Sequence, residues 1–199
     1  MIAGIVLAAG RSRRMGAPKP LLDLGGESFL SHVTGSLRGG GCTEIVVVVG
    51  AQEEAPARRI ASAAREVGAR VVVNPLAEAE QIDSLREGLR ALEPTIEAVV
   101  VTPVDFPRIE ARTVRALIEA FRRGGAPIVL PTYGGRHGHP TLFTRSVFPE
   151  LLADPLPHGA RSVVHAHAED LEEVPVEDAG ILFDVDTPAD LRRLRELEG

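Results

Sequence analysis

Several residue types and patterns are scarce in this 199-residue chain, and each scarcity excludes a class of protein. Cys42 is the only cysteine, which excludes an intrachain disulfide and a multi-cysteine metal site and favours a reducing, cytoplasmic compartment. No apolar run approaches the roughly 20 residues that span a bilayer, and no basic leader precedes the first apolar run. We therefore expect neither a targeting segment nor a membrane anchor.

An excess of positive charge is also lacking. The formal net charge is −6 and the isoelectric point is near 5.6, whereas nucleic acids and acidic membranes attract proteins with a basic surface. We expect no nucleic-acid partner and no membrane partner, and an anionic ligand would need a local cluster of basic residues. Aromatic residues make up only 4% of the chain, so Val, Leu, Ile and Ala are expected to fill the core.

Short β-branched runs alternate with amphipathic helical segments in the first two thirds of the chain. The runs are almost continuously apolar, as expected for strands that are covered on both faces. The helical segments place apolar residues on one face, for example Val114, Leu117 and Ile118. This alternation predicts a three-layer α/β fold, in which helices cover both faces of a mostly parallel sheet. The expected strands are 2–8, 44–49, 70–73, 98–104 and 127–130.

The pattern changes after about residue 131. The segment 131–143, PTYGGRHGHPTLF, predicts a hairpin or a loop that enters a strand. Short helices are expected near 146–152 and 160–166, late strands at 171–176 and 181–183, and a terminal helix at 188–197 with Thr187 as its N-cap. No linker, repeat or low-complexity tract separates the two parts, so we expect a single domain over 1–199.

The stretch 4–22, GIVLAAGRSRRMGAPKPLL, joins the first strand to a loop that is rich in glycine and basic residues. Ligands of open parallel sheets bind at the carboxyl ends of the strands, where this loop is expected to lie. Small residues would let phosphate groups approach backbone N–H groups, and basic side chains would add charge-assisted hydrogen bonds. The alternative is a solvated basic turn. The small residues are Ala8, Ala9, Gly10, Ser12 and Gly16, and the basic ones are Arg11, Arg13, Arg14 and Lys19.

The spacing within this loop argues against two familiar nucleotide-binding motifs. A P-loop needs GxxxxGK[ST], whereas Lys19 comes three residues after Gly16 and is followed by Pro20. A dinucleotide fingerprint needs GxGxxG, which the segment AAGRSRRMG does not contain. P-loop hydrolysis and hydride transfer with a bound dinucleotide are therefore disfavoured.

Two acidic motifs are expected at the same edge of the sheet as the basic loop. Asp105 in VDFP ends a buried strand, where it can hold Mg²⁺ against triphosphate oxygens or, alternatively, cap the next helix or turn. Asp184 and Asp186 in FDVDTP are two residues apart, so in an extended segment their side chains point the same way. We expect Asp186 to be the second metal ligand, supported by Asp184, with a helix cap as the alternative for one of them.

With these motifs the chain resembles the MobA-like nucleotidyltransferases and, among them, the molybdenum cofactor cytidylyltransferases. LAAGRSRRMGAPKPLL is similar to the family pattern LAAGxSxRMGxxKxLL, VDFP to DxP, GRHGHPTLF to GxxGHPxxF, GARSVV to a GAR-containing helix, and FDVDTPADL to DxDTPxDL. The resemblance implies a Rossmann-like nucleotidyltransferase fold, with a nucleotide-binding part at 1–131 and an acceptor-side part at 132–199. The implied enzyme moves CMP from CTP to the terminal phosphate of molybdopterin, releases pyrophosphate and uses Mg²⁺.

The resemblance also implies roles for individual residues. No nucleophilic Ser or Cys is expected, because the acceptor phosphate is already an anionic nucleophile that needs only alignment and charge neutralisation. The implied catalytic residues are Arg14, Lys19 and Asp105, the metal ligands Asp105 and Asp186, and the acceptor contacts His139 and Arg161. The implied nucleotide contacts are Leu7, Ala8, Ala9, Gly10, Ser12, Arg14, Lys19 and Ser84.

Three observations leave alternatives open. Ala9, where the guanylyl-transferring relatives have glycine, would narrow the base pocket, which favours CTP over GTP by about 1–3 kcal/mol if the methyl group is tightly packed. The acidic segment 78–84 departs from a Gly- and Ser-rich family loop, which leaves the identity of the acceptor open. The alternative is a nucleotidyltransferase that uses GTP or another NTP on molybdopterin, a sugar phosphate or another phosphorylated acceptor, and a further alternative is a non-catalytic cofactor-binding accessory module. The histidine pairs in HGH and HAH suggest a zinc site as an alternative, but this is disfavoured because no carboxylate lies at a recognised ligand spacing from them. A molybdoenzyme partner is also left open.

Overall fold

A mixed sheet forms the centre of the molecule. The computed structural model describes residues 1–10, 15–51, 55–76 and 80–196. Its strands are β1 (Ile2–Leu7), β2 (Asp23–Leu24), β3 (Glu27–Ser28), β4 (Glu44–Val49), β5 (Arg70–Val73), β6 (Ala98–Pro103), β7 (Ile128–Tyr133), β8 (Arg136–His137), β9 (Thr141–Thr144) and β10 (Glu172–Pro175). Within the described ranges, eight of these strands form one sheet in the order β10-β7-β9-β6-β1-β4-β5, with β8 paired to β7, and β2 and β3 form a separate hairpin.

Most neighbouring strands of the sheet run parallel. The pairs β6–β1, β1–β4, β4–β5 and β7–β10 are parallel. Strand β9, from the expected acceptor-side part, lies between β6 and β7 and is antiparallel to both. As a result, β1, β6 and β7 all end at the same edge of the sheet, which we call the carboxyl edge.

Helices cover both faces of the sheet and give the molecule three layers. They are α1 (Phe29–Gly40), α2 (Ala55–Glu66), α3 (Gln81–Arg90), α4 (Ala111–Gly124), α5 (Phe148–Leu152), α6 (Ala160–Ala166) and α7 (Pro188–Glu196). One hydrophobic cluster packs α1, α2, α4 and α7 on one face, and a second packs α3, α5 and α6 on the other. The side chains of β1 point to both faces of the sheet. Ile2 and Val6 belong to the first cluster, and Ala3 and Ile5 belong to the second.

This arrangement confirms the predicted α/β fold with its mostly parallel sheet. The predicted early strands are all present, with ends shifted by up to three residues, and the segment 131–143 forms the predicted hairpin of β7 and β8 and then enters β9. The short helices, the strand near 171–176 and the terminal helix are also present. None of the described helices is long and apolar enough to cross a membrane.

The strand predicted at 181–183 is wrong, because a 3₁₀ helix occupies Ala179–Leu182. The side chain of Asp178 is buried and accepts hydrogen bonds from the N–H of Gly180 at 2.9 Å and the hydroxyl of Thr113 at 2.6 Å. It also accepts from the N–H of Glu110 at 2.9 Å, at the start of α4. These bonds turn the chain where the apolar residues alone favour an extended strand.

Two elements were not anticipated. The hairpin of β2 and β3 turns at Gly25 and Gly26, which have φ of 63° and 90°. A Gly-Gly pair between two short polar-apolar segments is a hairpin signal, so the stretch DLGGES could have predicted it. Helix α2 was missed because its buried face consists mainly of alanines, namely Ala57, Ala61 and Ala64, which give a weak apolar pattern.

The crossing of α1 and α4 depends on the absence of a side chain at Gly40. A Cβ at this position would overlap the side chain of Val114. We expect Gly40→Ala to lower the free energy of unfolding by about 1–3 kcal/mol, the usual cost of overpacking, as measured by urea denaturation. Gly35→Ala in the same helix is the matched control, since a Cβ there meets nothing within 4 Å. It should be neutral or stabilising by up to about 1 kcal/mol, and equal losses in both variants would contradict the packing explanation.

Candidate functional site

A cluster of three charged side chains lies at the carboxyl edge. The ammonium of Lys19 lies 3.1 Å from Oδ2 of Asp105 and 2.5 Å from Oδ1 of Asp186. The Lys19 side chain is only 12% exposed, against 24% for Asp105 and 34% for Asp186. We call these residues the ion cluster. Lys19 is also the only lysine of the chain.

Local structure explains how each member of the ion cluster is placed. Lys19 begins a 3₁₀ turn, Lys19–Leu21. Asp105 follows β6, and its carbonyl accepts the N–H of Val185 at 2.9 Å, which ties the segment before α7 to the end of the central strand. Val185 is fully buried while Asp184 and Asp186 are not, as predicted for an extended segment.

Helix α7 is capped without the Asp186 side chain. Thr187 accepts the N–H of Asp190 at 3.3 Å, and the Asp190 carboxylate accepts the N–H of Thr187 at 2.7 Å. This reciprocal pair is a capping box and confirms Thr187 as the N-cap. Its hydrogen bonds, led by those with Thr187, lower the pKa of Asp190 below its ordinary value. The carboxylate of Asp186 instead points to Lys19.

Burial and mutual attraction together raise the pKa values of both Lys19 and Asp105 in the ion cluster. Burial raises the pKa of Asp105 above its ordinary value, and the attraction of Lys19 offsets this only in part. For Lys19, burial acts against the charged form, but the hydrogen bonds and charges of Asp186 and Asp105 outweigh it and raise the pKa. The ammonium is therefore charged at neutral pH. Among the described residues of the cluster, two carboxylates face one ammonium.

The carboxylates suit a divalent metal. Oδ1 of Asp105 is buried and has no hydrogen-bond partner among the described residues, so one oxygen is available as a ligand. No group of three acidic, histidine or cysteine side chains that could hold a metal is found in the described part of the chain. Mg²⁺ is typically held by one or two carboxylates together with substrate phosphates and water, which is the kind of site that Asp105 and Asp186 can provide.

The predicted nucleotide contacts begin at the end of β1. Leu7 accepts the N–H of Val104 at 3.2 Å and Ala8 donates to Val48 at 2.8 Å, so these groups complete the sheet. The N–H groups of Ala9 and Gly10 donate to no other described residue and lie where the chain leaves the sheet. Ser12 and Arg14, like Arg11 and Arg13, lie outside the described residues.

Ser84 takes a different position from the other predicted nucleotide contacts. It is buried in α3, and its hydroxyl accepts a hydrogen bond from the side-chain amide of Asn74 at 3.0 Å. A nucleotide contact by Ser84 stays a prediction. Of the acidic segment 78–84, residues 78 and 79 lie outside the described residues, and Asp83 accepts the N–H of Glu80 at 2.9 Å at the start of α3.

A cleft of about 810 Å³ opens beside the ends of β1 and β6. Leu7, Pro103 and Phe106 line it where it meets the carboxyl edge, and the predicted acceptor residues His139 and Arg161 line it on the other side. Apolar residues form much of its wall, including Ile82, Leu85, Val101, Leu130, Phe143 and Val164. Its other ionisable residues are Glu80, Arg136, His137, His158, His165 and Asp184.

Basic side chains thus gather at the cleft of an acidic protein. Arg136 and His158 were not proposed as acceptor contacts from the sequence, although both lie in the motif-bearing segments GGRHGHP and PHGAR. Burial and the charge of Arg161 lower the pKa of His139 to about 4, so its imidazole is neutral at neutral pH. A cleft with guanidinium groups and apolar walls suits an anionic ligand with an extended apolar body.

His167 forms a separate pH-sensitive contact at the end of α6. Its Nε2 lies 3.1 Å from Glu150 and its Nδ1 lies 3.0 Å from Asp170, so the imidazole bridges two carboxylates. The hydrogen bond with Glu150, followed by that with Asp170, raises the pKa of His167 above its ordinary value. Because the pKa of His167 is higher in the folded protein than in the unfolded chain, the protonated imidazole stabilises the fold. This stabilisation is complete at a pH below the ordinary pKa of histidine and is lost as the pH rises through the raised pKa.

The effect of His167→Gln should therefore depend on pH. We expect this substitution to lower the free energy of unfolding more at about pH 5.5 than at about pH 8.5, measured by urea denaturation. His165→Gln, on the same helix and exposed, is the control. A loss for His167→Gln that is the same at both pH values would contradict the ionic bridge.

Comparisons with known proteins agree with this fold. The family model of the MobA-like NTP transferase domain matches residues 4–171. A probable molybdenum cofactor guanylyltransferase of Mycobacterium avium (strain 104) is 30% identical over 199 residues, which cover 98% of this chain and 95% of the relative. The crystal structure of Rv0371c from Mycobacterium tuberculosis H37Rv superposes with a TM-score of 0.82 at 32% identity, over 98% of this chain and 97% of that one. A crystal structure of Rv0371c in complex with manganese gives a TM-score of 0.77 at 30% identity and covers 98% of each chain.

The chain is thus a nucleotidyltransferase and belongs to the MobA-like NTP transferase family. The resemblance seen in its motifs is confirmed at this level. The narrower cytidylyl-transferring group is not confirmed, because the Mycobacterium avium relative bears the name of a guanylyltransferase.

Proposed function

We propose that this protein transfers a nucleotidyl group from a nucleoside triphosphate to the terminal phosphate of a molybdopterin-type cofactor. The observation that carries the proposal is the ion cluster, in which Lys19 lies between Asp105 and Asp186 beside the cleft with Arg161 and His139. An ammonium and two carboxylates at the carboxyl edge are suited to a metal-bound triphosphate. The name of the Mycobacterium avium relative supports this acceptor.

The residues divide into a triphosphate side and an acceptor side. On the first side, the N–H groups of Ala9 and Gly10 meet the nucleotide, while Lys19, with Ser12 and Arg14, binds the triphosphate and the leaving pyrophosphate. On the second side, His139 and Arg161 bind the acceptor, whose phosphate is attracted by the guanidinium. The two sides meet at the end of β6, next to Asp105.

Asp105 and Asp186 would hold a divalent metal, Mg²⁺ by preference, which supplies positive charge at the α-phosphate. The manganese-bound structure of Rv0371c supports a divalent ion. To receive it, Lys19 must give up at least part of its contact with the two carboxylates and turn to the triphosphate. The protein thus places positive charge on both sides of the bond that breaks.

The reaction balances without a general base. An oxygen of the acceptor phosphate forms a bond to the α-phosphorus while the bond from this phosphorus to the oxygen bridging to the β-phosphate breaks. The electron pair of that bond leaves with pyrophosphate, and no proton is transferred. The residues align the two phosphates and neutralise charge, and no covalent intermediate with the protein forms. The dinucleotide product would pass to a molybdoenzyme.

We infer CTP as the donor from Ala9, since a methyl group at this position narrows the base pocket. GTP is the second candidate, and the guanylyltransferase name of the Mycobacterium avium relative favours it. One methyl group in the base pocket is expected to change the preference by about 1–3 kcal/mol, which a comparison of the triphosphates measures.

The decisive experiment measures pyrophosphate release by the purified protein with Mg²⁺ and molybdopterin, offering CTP, GTP, ATP and UTP separately. Release that requires molybdopterin supports the proposed reaction, and the triphosphate that supports it identifies the base. Release with GTP alone would overturn the inference from Ala9. Tight triphosphate binding without any release would overturn molybdopterin as the acceptor.

A further inference from the structure

We propose that Phe106 is a positioning residue that holds the imidazole of His139 in the cleft, in the orientation that binds the acceptor. This inference rests on the proposed function. The two rings are 4.6 Å apart between centroids, with an angle of 63° between their planes, which is an edge-to-face arrangement. Phe106 directly follows Asp105, so one backbone segment places both the metal-binding carboxylate and the ring that contacts His139.

The backbone of His139 is hydrogen-bonded within the fold, whereas its imidazole leaves one nitrogen for a ligand. Its backbone N–H donates to the carbonyl of Ile181 at 2.9 Å, which fixes the main chain, whereas its ring packs on Phe106. Nδ1 of the imidazole is buried and has no hydrogen-bond partner within the described ranges. Buried polar atoms are almost always paired, so an unpaired one on a cleft-lining side chain indicates that a ligand completes the bond.

Backbone hydrogen bonds fix the segments that carry Phe106 and His139. The segment from Ile181 to Asp186 is bonded to His139 at its start and, through Val185, to the carbonyl of Asp105 at its end. The Phe106 ring contacts the ring of His139. These backbone bonds do not involve the Phe106 ring, so loss of the ring is expected to leave the carboxylate pair in place.

Chemistry restricts what His139 can offer to the acceptor. A neutral imidazole carries one N–H donor and one acceptor nitrogen, and it contributes no positive charge. Arg161 supplies charge for the acceptor phosphate, whereas His139 can pair with a neutral polar group of the acceptor. Correct orientation of the ring then decides how well the acceptor binds, and Phe106 sets that orientation.

Phe106→Leu tests the proposal because leucine keeps apolar volume and removes the ring contact. We expect KM for molybdopterin to rise about three- to tenfold, the equivalent of one aromatic pair, while KM for the triphosphate and the Mn²⁺ dissociation constant stay unchanged. Phe106→Tyr keeps the ring and should retain the wild-type KM. Phe121→Leu is the matched control, since Phe121 is also half-buried but lies on α4, away from the cleft.

A second readout needs no substrate. The ring protons of His139, assigned by NMR with His139→Gln, should shift in Phe106→Leu because the ring current of Phe106 is lost, and should not shift in Phe121→Leu. Phe106→Met, which also lacks a ring, provides the same test if the leucine variant does not fold. Unchanged His139 resonances would overturn the positioning role, as would equal rises in KM for both substrates. If the wild-type protein has no transferase activity, the proposed function fails, and the NMR shift alone supports or overturns the contact.

Discussion

Replacing Lys19 by glutamine should lower kcat by about 10²- to 10³-fold and, in the absence of nucleotide, tighten the binding of Mn²⁺. The loss of activity is expected because Lys19 is the basic residue of the ion cluster, and its charge is needed on the triphosphate. The gain in metal affinity is expected because the ammonium contacts both carboxylates, at 3.1 and 2.5 Å, and a metal must compete with it. Glutamine retains a polar side chain but removes this competing charge.

Two measurements separate these effects. Pyrophosphate release gives kcat, and the free Mn²⁺ signal in electron paramagnetic resonance gives the metal dissociation constant. Arg70→Gln is a control that also removes one positive charge, since Arg70 pairs with Glu44 at the start of β5, at the opposite edge of the sheet. It should change neither value. Weaker or unchanged Mn²⁺ binding in Lys19→Gln would show that the ammonium and the metal do not share the carboxylates.

Asp105→Asn should reduce turnover by about 10³-fold and should weaken Mn²⁺ binding while the protein stays folded. The amide keeps the shape of the side chain but removes the charge that attracts the metal, and it also leaves Lys19 with one ionised partner fewer. Because burial already raises the pKa of the Asp105 carboxyl, a neutral group at this position is compatible with folding.

Turnover, Mn²⁺ binding and the melting temperature should be measured together for this variant. Asp23→Asn, which changes an exposed carboxylate in the β2–β3 hairpin, is the control and should resemble the wild type in all three. Wild-type turnover by a folded Asp105→Asn protein would remove Asp105 from the metal site. Loss of folding in place of loss of turnover would give the carboxylate a structural role.

The fold was largely predictable because its strands are buried on both faces. Continuous apolar runs such as EIVVVV at 44–49 identify such strands, and amphipathic segments between them identify the covering helices. The choice between helix and strand was harder to predict where a short apolar segment is compatible with both. Ile181 is buried and Leu182 and Phe183 are half-buried, but the segment is helical because Asp178 is hydrogen-bonded to the start of α4. One of these bonds comes from Thr113, which lies 65 residues away in the chain. Such long-range contacts cannot be read from a local pattern.

The ion cluster was predictable as three separate candidates but not as one contact. Lys19 is 86 residues from Asp105 and 167 residues from Asp186, and only the order of the strands brings them together. The motif around each residue predicted that it lies next to the end of a strand or the start of a helix. The rule that ligands of open parallel sheets bind at the carboxyl ends of the strands predicted that the three residues share one edge. The pairing of Phe106 with His139 carried no sequence signal, since neither ring belongs to a repeated pattern.

The reversed direction of β9 has a consequence for how substrate preference can change. Because this strand enters the sheet antiparallel between β6 and β7, the connection at 134–140 overhangs the same edge at which β1 ends. Of the residues proposed to bind the acceptor, His139 lies on this connection and Arg161 on α6, whereas the proposed nucleotide contacts Ala9 and Gly10 follow β1. Under the proposed function, we expect substitutions and insertions in this connection to alter the choice of acceptor and to leave the nucleotide site intact, so that similar chains could share a donor and differ in the molecule they modify.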